Sequence, residues 1–211
     1  GLPFFSPMFD GGSEINICGP KPVGLSLEDA LEQFIRSPYL PFSLGTFPAK
    51  IVVREVEAGE TVRLVGSEQD GCKGCKIETF ALEHPGGSIA YKITDPETGK
   101  TFVYATDTTM PQGARKEALV EFVRGVDLLA VDSFFTEEEL RGKMDGRDKS
   151  DWGHMSFEEA AQLAGLGRVG SLALFHHHNE RTDEELDRLQ ERAREIFGNS
   201  FCVYDGQLIK L

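Results

Sequence analysis

The stretch of residues 76–109, KIETFALEHPGGSIAYKITDPETGKTFVYATDTT, constrains the fold more than any other part of the chain. Apolar and polar side chains alternate at its start, which predicts a strand, and His84 stands where proline and glycine end that strand in a sharp turn. Two further runs, 88–94 and 101–106, flank a loop of turn-forming residues and predict a hairpin that leads into Asp107. We therefore expect His84 and Asp107 near one edge of a sheet, where chemistry is commonly placed.

Two later strands are also predicted to end in polar side chains. Residues 127–132 form a nearly continuous apolar run that ends in Asp132, as expected of a buried central strand. Residues 171–175 form a second buried run, which is followed by His176-His177-His178. Capping boxes predict helix starts at Thr136, Ser156 and Thr182. The 211 residues are enough for one α/β core, so we expect a single domain over residues 1–211.

Turn residues predict two more hairpins. One joins strands 51–56 and 61–65 through Ala58-Gly59-Glu60, and the other closes residues 201–211 around Asp205-Gly206. Nearer the start of the chain, alternating residues 14–18 predict a short strand, and Ser26 is the expected cap of a helix with one apolar face.

The cysteines give only a weak indication of a metal site. Cys72 and Cys75 have the spacing of a zinc knuckle or a redox dithiol, but a zinc knuckle needs a second such pair, which the sequence lacks. An ordinary tight hairpin that carries two thiols is therefore favoured over a local disulfide or half of a metal site. Cys18 and Cys202 lie in apolar strand contexts and are predicted to be small buried thiols.

The formal net charge of −13 argues against non-specific binding to nucleic acid, which depends on clustered lysine and arginine. No apolar run approaches the roughly 18 residues of a membrane span, and no basic and then apolar leader opens the chain. We therefore expect a soluble cytoplasmic protein without a membrane partner.

Histidines and carboxylates gather at the predicted strand ends. The five histidines fall after a strand at His84, before a capped helix at His154, and after a strand at residues 176–178, while Asp107 and Asp132 stand at strand exits. Imidazole and carboxylate groups are ligands for divalent metals such as zinc, and imidazole also transfers protons near pH 7. The alternative is a set of unrelated histidines with two capping aspartates.

These motifs, in this order, resemble the metallo-β-lactamase fold superfamily, in particular its ribonuclease Z-like and phosphodiesterase-like branch. The matching segments are His84-Pro-Gly-Gly, Tyr104-Ala-Thr-Asp107-Thr, Asp127-Leu-Leu-Ala-Val-Asp132, Gly153-His154-Met-Ser and Leu174-Phe-His176-His177. The resemblance implies an αββα sandwich with a dinuclear zinc or manganese site. It implies that His84 binds one metal, that Asp107 bridges both, and that His176, or His177 as the alternative, binds the other. It also implies that His154 transfers protons and that Asp132 orients it.

One part of the family pattern is missing from this sequence. The principal metal motif, His-x-His-x-Asp-His, is absent, and in similar proteins it lies just ahead of a segment like residues 1–7. We therefore expect that the chain lacks the N-terminal strands of the fold. His84, Asp107 and His176 alone give each of two metals one private ligand and a shared carboxylate, fewer than a zinc site takes.

Three functional hypotheses follow from the resemblance. The first is a metal-dependent hydrolase in which a metal-bound hydroxide attacks a phosphodiester, or less favourably an ester or lactam. The second is a non-catalytic or single-metal binding protein, in which a partner or a second copy of the chain covers the vacant half of the sheet. The third, a tRNA-processing nuclease, is disfavoured by the acidic charge. Neither loop 39–48 nor loop 141–151 carries a motif that identifies the substrate, and a small phosphodiester is preferred.

Overall fold

Internal contacts divide the chain into two units, Gly1–Ala58 and Gly59–Leu211. The structure is a computed structural model that describes residues 5–63 and 74–211. The expectation of a single domain over residues 1–211 therefore remains a prediction. The predicted thiol hairpin includes Cys72, which lies outside the described residues.

The first unit contains a short parallel sheet and one helix. Strand β1 (Glu14–Gly19) pairs in parallel with strand β2 (Lys50–Glu55), and helix α1 (Leu27–Ile35) lies between them in the chain. Ser26 caps α1 as predicted, because its hydroxyl oxygen accepts a hydrogen bond from the amide of Asp29 at 3.0 Å. Four buried side chains of this unit form an apolar cluster, Met8, Ile35, Leu44 and Phe47.

The second unit is built on a seven-stranded mixed sheet in the order β3-β4-β5-β6-β7-β8-β9. Neighbouring strands from β3 to β6 are antiparallel, and those from β6 to β9 are parallel. The strands are β3 (Thr61–Arg63), β4 (Lys76–Leu82), β5 (Ser88–Thr94), β6 (Thr101–Ala105), β7 (Leu128–Asp132), β8 (Ser171–Phe175) and β9 (Ser200–Cys202). The predicted strands of residues 76–109 are confirmed, as is the predicted burial of β7, in which every residue is buried.

Helices connect the last four strands of the sheet, in the alternation expected of parallel strand connections. Helix α2 (Ala114–Phe122) precedes β7, α3 (Glu137–Leu140) and α4 (Phe157–Gly167) precede β8, and α5 (Asp183–Ile196) precedes β9. The three predicted capping boxes are confirmed at Thr136, Ser156 and Thr182. The α/β class predicted from the sequence is confirmed.

One face of this sheet packs against helices and the other has its own apolar cluster. Residues of β7 and β8 on the first face join side chains of α2, α4 and α5 in the largest core cluster, including Leu119, Leu129, Leu163, Leu174 and Leu189. Alternate residues of the same strands, Leu128, Ala130 and Ala173, are buried on the opposite face with Phe102 and Phe175. This arrangement explains why β7 reads as a continuous apolar run.

The hairpins predicted at Ala58-Gly59-Glu60 and around Asp205-Gly206 are wrong. Strand β2 pairs with β1, whereas β3 pairs with β4, so the turn at Ala58-Gly59-Glu60 joins strands of two different sheets. Glu60 accepts a hydrogen bond from the amide of Thr79 at 3.0 Å, which fixes the start of β3 against β4. Strand β9 pairs in parallel with β8, and no strand follows it among the described residues. Cross-strand partners distant in sequence outweigh the turn signal in both cases.

No helix in the described part of the chain combines the length and the apolar character of a membrane span.

Cys202 is partly buried rather than fully buried, and its thiol lies 3.5 Å from the carbonyl oxygen of Leu186. Burial raises the pKa of Cys202 to about 11. Cys18 is also only partly buried, so the sequence overstated the burial of both thiols.

Candidate functional site

The ends of four strands meet at one edge of the seven-stranded sheet. Strands β6, β7 and β8 are parallel, and β4 runs in the same direction because two antiparallel pairings separate it from β6. Their carboxyl ends therefore deliver His84, Asp107, Asp132 and His176 to the same edge. His154 reaches this edge from the segment that precedes α4. The convergence expected from the sequence is thus present for every predicted site residue.

Asp107 occupies the middle of this group. Ligand atoms of His84, Asp107 and His154 all lie within 4.8 Å of one another. On the other side, Nε2 of His176 lies 3.7 Å from Oδ1 of Asp107. The carboxylate of Asp107 therefore lies close both to His84 and to His176, as the predicted role of bridging two metal ions requires.

Asp107 and His176 both adopt a left-handed backbone conformation, each with φ of 58°. Aspartate and histidine enter this region more readily than most residues, although it is still uncommon outside glycine. Two such residues, at the ends of the strands on either side of β7, are typical of a site whose geometry is imposed by its surroundings.

The buried carboxylate of Asp132 holds these residues in place. Its Oδ2 atom accepts hydrogen bonds from the amides of Asp107 at 3.0 Å and Thr108 at 3.3 Å. The same oxygen lies 2.8 Å from Nδ1 of His154 and 3.2 Å from Nδ1 of His176. Asp132 is 0% exposed, so these donors replace the water that a carboxylate otherwise needs. A single oxygen therefore orients both imidazole rings.

The charge of Asp132 depends on its two histidine partners. Burial raises the pKa of Asp132, but hydrogen bonds and charge interactions with His154 and His176 outweigh burial and leave the pKa below its usual value. The hydrogen bond to Asp132 raises the pKa of His176 in turn, against the opposing effect of desolvation. Asp132 is therefore an ionised acceptor at neutral pH, and the histidine Nδ1 atoms are the donors.

A second group that includes Asp132, His154 and His176 also has ligand atoms within 4.8 Å of one another. Its geometry is that of a hydrogen-bond network rather than a metal site. The shared Oδ2 atom is already surrounded by two amide donors and two imidazole donors, and the carboxylate is fully buried. With Nδ1 used in this way, each histidine retains Nε2 for a metal or a substrate.

The geometry distinguishes His176 from His177. Nδ1 of His177 lies 3.3 Å from the hydroxyl of Ser133, and its Nε2 is buried without a hydrogen-bond partner among the described residues. Burial lowers the pKa of His177, and the charges of Arg181 and His176 add to that effect. Among the described residues, neither group of candidate ligands includes His177, so the arrangement favours His176, which directly follows β8.

Gly153 was not singled out from the sequence but brings His84 and His154 together. Its φ is +90°, and a Cβ atom built there would lie 2.4 Å from Cδ2 of His84 and 2.6 Å from Cδ of Pro85. Only glycine fits this approach without displacement. The rings of His84 and His154 are consequently 5.8 Å apart. The sequence signal that could have identified Gly153 is its position directly before the candidate proton-transfer histidine.

Phe134 is a second feature that the sequence reasoning missed. Its ring stacks on His154, with centroids 4.7 Å apart and planes 20° apart, and lies 5.6 Å from the ring of His176. His178, the last residue of the histidine triplet, also contacts it, with ring centroids 4.8 Å apart. Phe134 lies two residues after the strand exit at Asp132, and this position is the sequence signal that could have identified it.

The donor set at this edge fits a divalent metal ion. The carboxylate of Asp107, with the imidazoles of His84, His154 and His176 around it, matches the ligand chemistry of zinc and manganese. The nitrogens that hydrogen-bond to Asp132 match the orienting contacts that metal-binding histidines usually make.

The mixed sheet, its helices and the histidine and aspartate groups at one edge define an α/β protein with a candidate metal site. The chain belongs to the beta-lactamase superfamily, because the model of the beta-lactamase superfamily domain matches residues 1–177. The predicted resemblance to the metallo-β-lactamase fold and its ribonuclease Z-like branch is confirmed.

Two curated relatives and one solved structure illustrate the similarity. Ribonuclease Z from Bradyrhizobium sp. (strain ORS 278) is 38% identical over 102 residues, which are 48% of this chain and 29% of that protein. Ribonuclease Z from Halalkalibacterium halodurans is 27% identical over 164 residues, 78% of this chain and 44% of that protein. The metallo-beta-lactamase fold protein YhfI from Bacillus subtilis aligns with a TM-score of 0.62 at 18% identity, over 92% of this chain and 64% of that one. The chain therefore spans less than half the length of these two curated relatives.

Proposed function

We propose that this chain carries a metal-dependent hydrolase site for phosphodiesters. The observation that carries the proposal is the meeting of His84, Asp107, His154 and His176 at one sheet edge, organised by the buried Asp132. Family membership supports a hydrolase, since ribonuclease Z proteins are among the relatives.

His84, Asp107 and His176 are the proposed metal ligands. Zinc or manganese, when bound, neutralises phosphate charge and makes water more acidic. A dinuclear site is the finer form of the proposal, with His84 serving one ion, His176 the other and Asp107 both, and each ion then needs ligands beyond these three residues. The position of Asp107, within 4.8 Å of His84 and 3.7 Å from His176, supports this division.

His154 is the proposed proton-transfer residue. Its Nδ1 donates to Asp132 at 2.8 Å, which fixes the tautomer and ring orientation. The remaining nitrogen, Nε2, is the atom that delivers a proton to the leaving oxygen of a phosphodiester. Stacking on Phe134 limits rotation of the ring. Asp132 acts through His154 and is a positioning residue.

The substrate is proposed to be a phosphodiester, and RNA is the second candidate. The net charge of −13 disfavours a long nucleic acid held by its phosphates. The ribonuclease Z relatives weaken this objection and restore RNA as a substrate class to test. A small phosphodiester needs fewer phosphate contacts and agrees with the acidic charge. A non-catalytic binding role remains the alternative hypothesis.

The decisive experiment measures metal content and turnover together. The purified chain is assayed with bis-p-nitrophenyl phosphate before and after addition of zinc or manganese, and bound metal is counted by mass spectrometry. We expect metal-dependent turnover, and we expect Asp107→Asn to reduce metal affinity and activity by at least about 10–100-fold, the effect of losing even an outer metal partner.

Asp95→Asn provides the matched control. Asp95 lies in the exposed turn between β5 and β6, where its oxygens accept bonds from Glu97 and Thr98, and an asparagine retains one such oxygen. This variant should bind metal and turn over substrate like the parent chain. Absence of both bound metal and turnover in the parent chain would favour the binding-protein hypothesis.

A further inference from the structure

An exposed tryptophan lies next to the candidate site. Trp152 is the one tryptophan of the chain, and its side chain is 52% exposed. In the described part of the second unit, the other exposed large aromatic side chain is Tyr204, which lies near the C-terminus. A single exposed aromatic side chain is not unusual, so its position in the molecule decides what it can bind.

The backbone ties Trp152 closely to the reacting groups. Trp152 is separated from His154 only by Gly153, and Gly153 packs directly against the ring of His84. The distance from the tryptophan to the candidate metal ligands is therefore short along the chain and fixed by this contact. The rings of Trp152 and His154 both contact the ring of Phe135, with centroids 6.1 Å and 6.3 Å from it, so the indole lies two ring contacts from His154.

The contacts of Trp152 leave ring surface available. Its ring meets Phe135 at an interplanar angle of 70°, with centroids 6.1 Å apart, which is an edge contact rather than a stack. Phe135 in turn lies 6.3 Å from the ring of His154. Phe135 meets Trp152 only through an edge-to-face contact and Trp152 is 52% exposed, so part of the ring face is open to a planar ligand.

The segment that carries Trp152 is anchored. The amide of Trp152 donates to the carbonyl of Lys149 at 3.0 Å, and the amide of Lys149 donates to the carbonyl of Leu140 at 2.9 Å. The ammonium group of Lys149 also lies 2.9 Å from Asp145. An anchored aromatic ring loses little conformational freedom when a ligand stacks on it.

We propose that Trp152 is a specificity-determining residue that stacks on a planar ring attached to the phosphodiester. This inference rests on the proposed phosphodiesterase function and narrows its substrate class to esters that carry a nucleobase or a similar aromatic group. Stacking suits a surface of acidic net charge, because it depends on the π-face of the base and not on additional phosphate contacts.

The test compares two ligands that differ only in the base. Binding of adenosine 5′-monophosphate and of ribose 5-phosphate to the zinc-supplemented chain is measured by calorimetry and by the emission of Trp152, which has no other tryptophan to obscure it. We expect the nucleotide to bind about 5- to 150-fold more tightly, the ratio that corresponds to about 1–3 kcal/mol per stacked base. We also expect the nucleotide to change the emission more strongly than the sugar phosphate does.

Variants assign that preference to the indole. Trp152→Ala should remove the difference between the two ligands without changing the affinity for ribose 5-phosphate, and Trp152→Phe should retain most of the difference. Tyr204→Ala, which removes the other exposed aromatic side chain, should retain all of it. A preference that survives Trp152→Ala, or that disappears in Tyr204→Ala, would overturn the assignment.

The outcomes for stacking and for hydrolysis are separable. Turnover of bis-p-nitrophenyl phosphate without a preference for the nucleotide would refute the role of Trp152 and leave the hydrolase proposal standing. A preference that depends on Trp152, in a chain without turnover, would support the stacking role and count against hydrolysis. A chain that binds neither ligand would refute the stacking role, and its turnover assay would decide on hydrolysis separately.

Discussion

At the scale of single residues, one carboxylate oxygen organises the candidate site. Oδ2 of Asp132 faces the amides of Asp107 and Thr108 and the Nδ1 atoms of His154 and His176. These contacts come from three segments, after β6, before α4 and after β8, so the oxygen links the candidate ligands to the candidate proton donor. A buried carboxylate without such donors would cost several kcal/mol, and removal of its charge leaves the donors unsatisfied.

Asp132→Asn should therefore weaken both metal binding and the fold. The amide of asparagine offers one oxygen for the same donors but no charge, and its own NH2 group faces groups that also donate. We expect metal affinity to fall by about 10–100-fold and the free energy of unfolding to fall by about 1–3 kcal/mol. Calorimetric zinc titration and denaturant unfolding measure the two effects. Unchanged zinc affinity would show that Asp132 does not orient a ligand.

At the scale of elements, the capped start of helix α4 fixes the segment that brings His154 to the site. Helix α4 begins at a capping box in which the hydroxyl of Ser156 accepts from the amide of Glu159 at 3.1 Å, and Glu159 accepts from the amide of Ser156 at 3.1 Å. Ser156 follows His154 by two residues, and Phe135 forms an isolated parallel bridge to it. The start of α4 thus sets the position from which His154 enters the site.

The two caps of α4 and α5 allow a matched comparison. Ser156→Ala and Thr182→Ala each remove a hydroxyl that accepts a backbone hydrogen bond, and each should lower the free energy of unfolding by about 0.5–2 kcal/mol. Only Ser156→Ala should also lower kcat for phosphodiester hydrolysis, because only that cap adjoins His154. Equal kcat values for both variants, measured well below their unfolding temperatures, would count against the positioning role of α4.

At the scale of the whole molecule, the two ends of one strand have different tasks. Asp127 lies just before β7, where it contacts the ammonium group of Lys100 at 2.7 Å and accepts from the amide of Thr101 at 2.9 Å. Asp132 lies at the other end, in the candidate site. The hydrogen bond from Lys100, followed by that from the amide of Thr101, lowers the pKa of Asp127 to about 2. The first carboxylate thus joins β6 to β7, and the second serves the site.

Asp127 should contribute stability that is lost in acid. Its pKa is lower in the folded chain than in the unfolded chain, so the contribution is complete above about pH 4 and disappears as the pH falls toward 2. Asp127→Asn should lower the free energy of unfolding by about 1–2 kcal/mol at pH 7, after allowance for partial exposure of the ion pair. The difference from the parent chain should shrink in urea unfolding curves between about pH 4 and pH 2.

Zinc titration of the same variant provides its control. Because Asp127 and Asp132 lie at opposite ends of β7, Asp127→Asn should bind zinc with the affinity of the parent chain. A stability difference that grows in acid would contradict the assigned direction of the pKa shift.

The sequence by itself determined the features that depend on neighbouring residues. Alternation and apolar runs located β4 to β8, capping boxes located three helix starts, and the polar residues at strand exits identified His84, Asp107, Asp132 and His176 as candidates. These signals are local, because side-chain period, turn chemistry and helix capping act over a few residues. The family resemblance assigned roles to the candidates, and those roles remain to be tested.

Only the tertiary structure decided which distant groups meet. The pairing of β3 with β4 rather than β2, the shared oxygen of Asp132, and the contact of Gly153 with His84 each join residues far apart in the chain. No local pattern encodes such contacts, because they depend on how packed elements satisfy buried polar groups and exclude overlap across the fold.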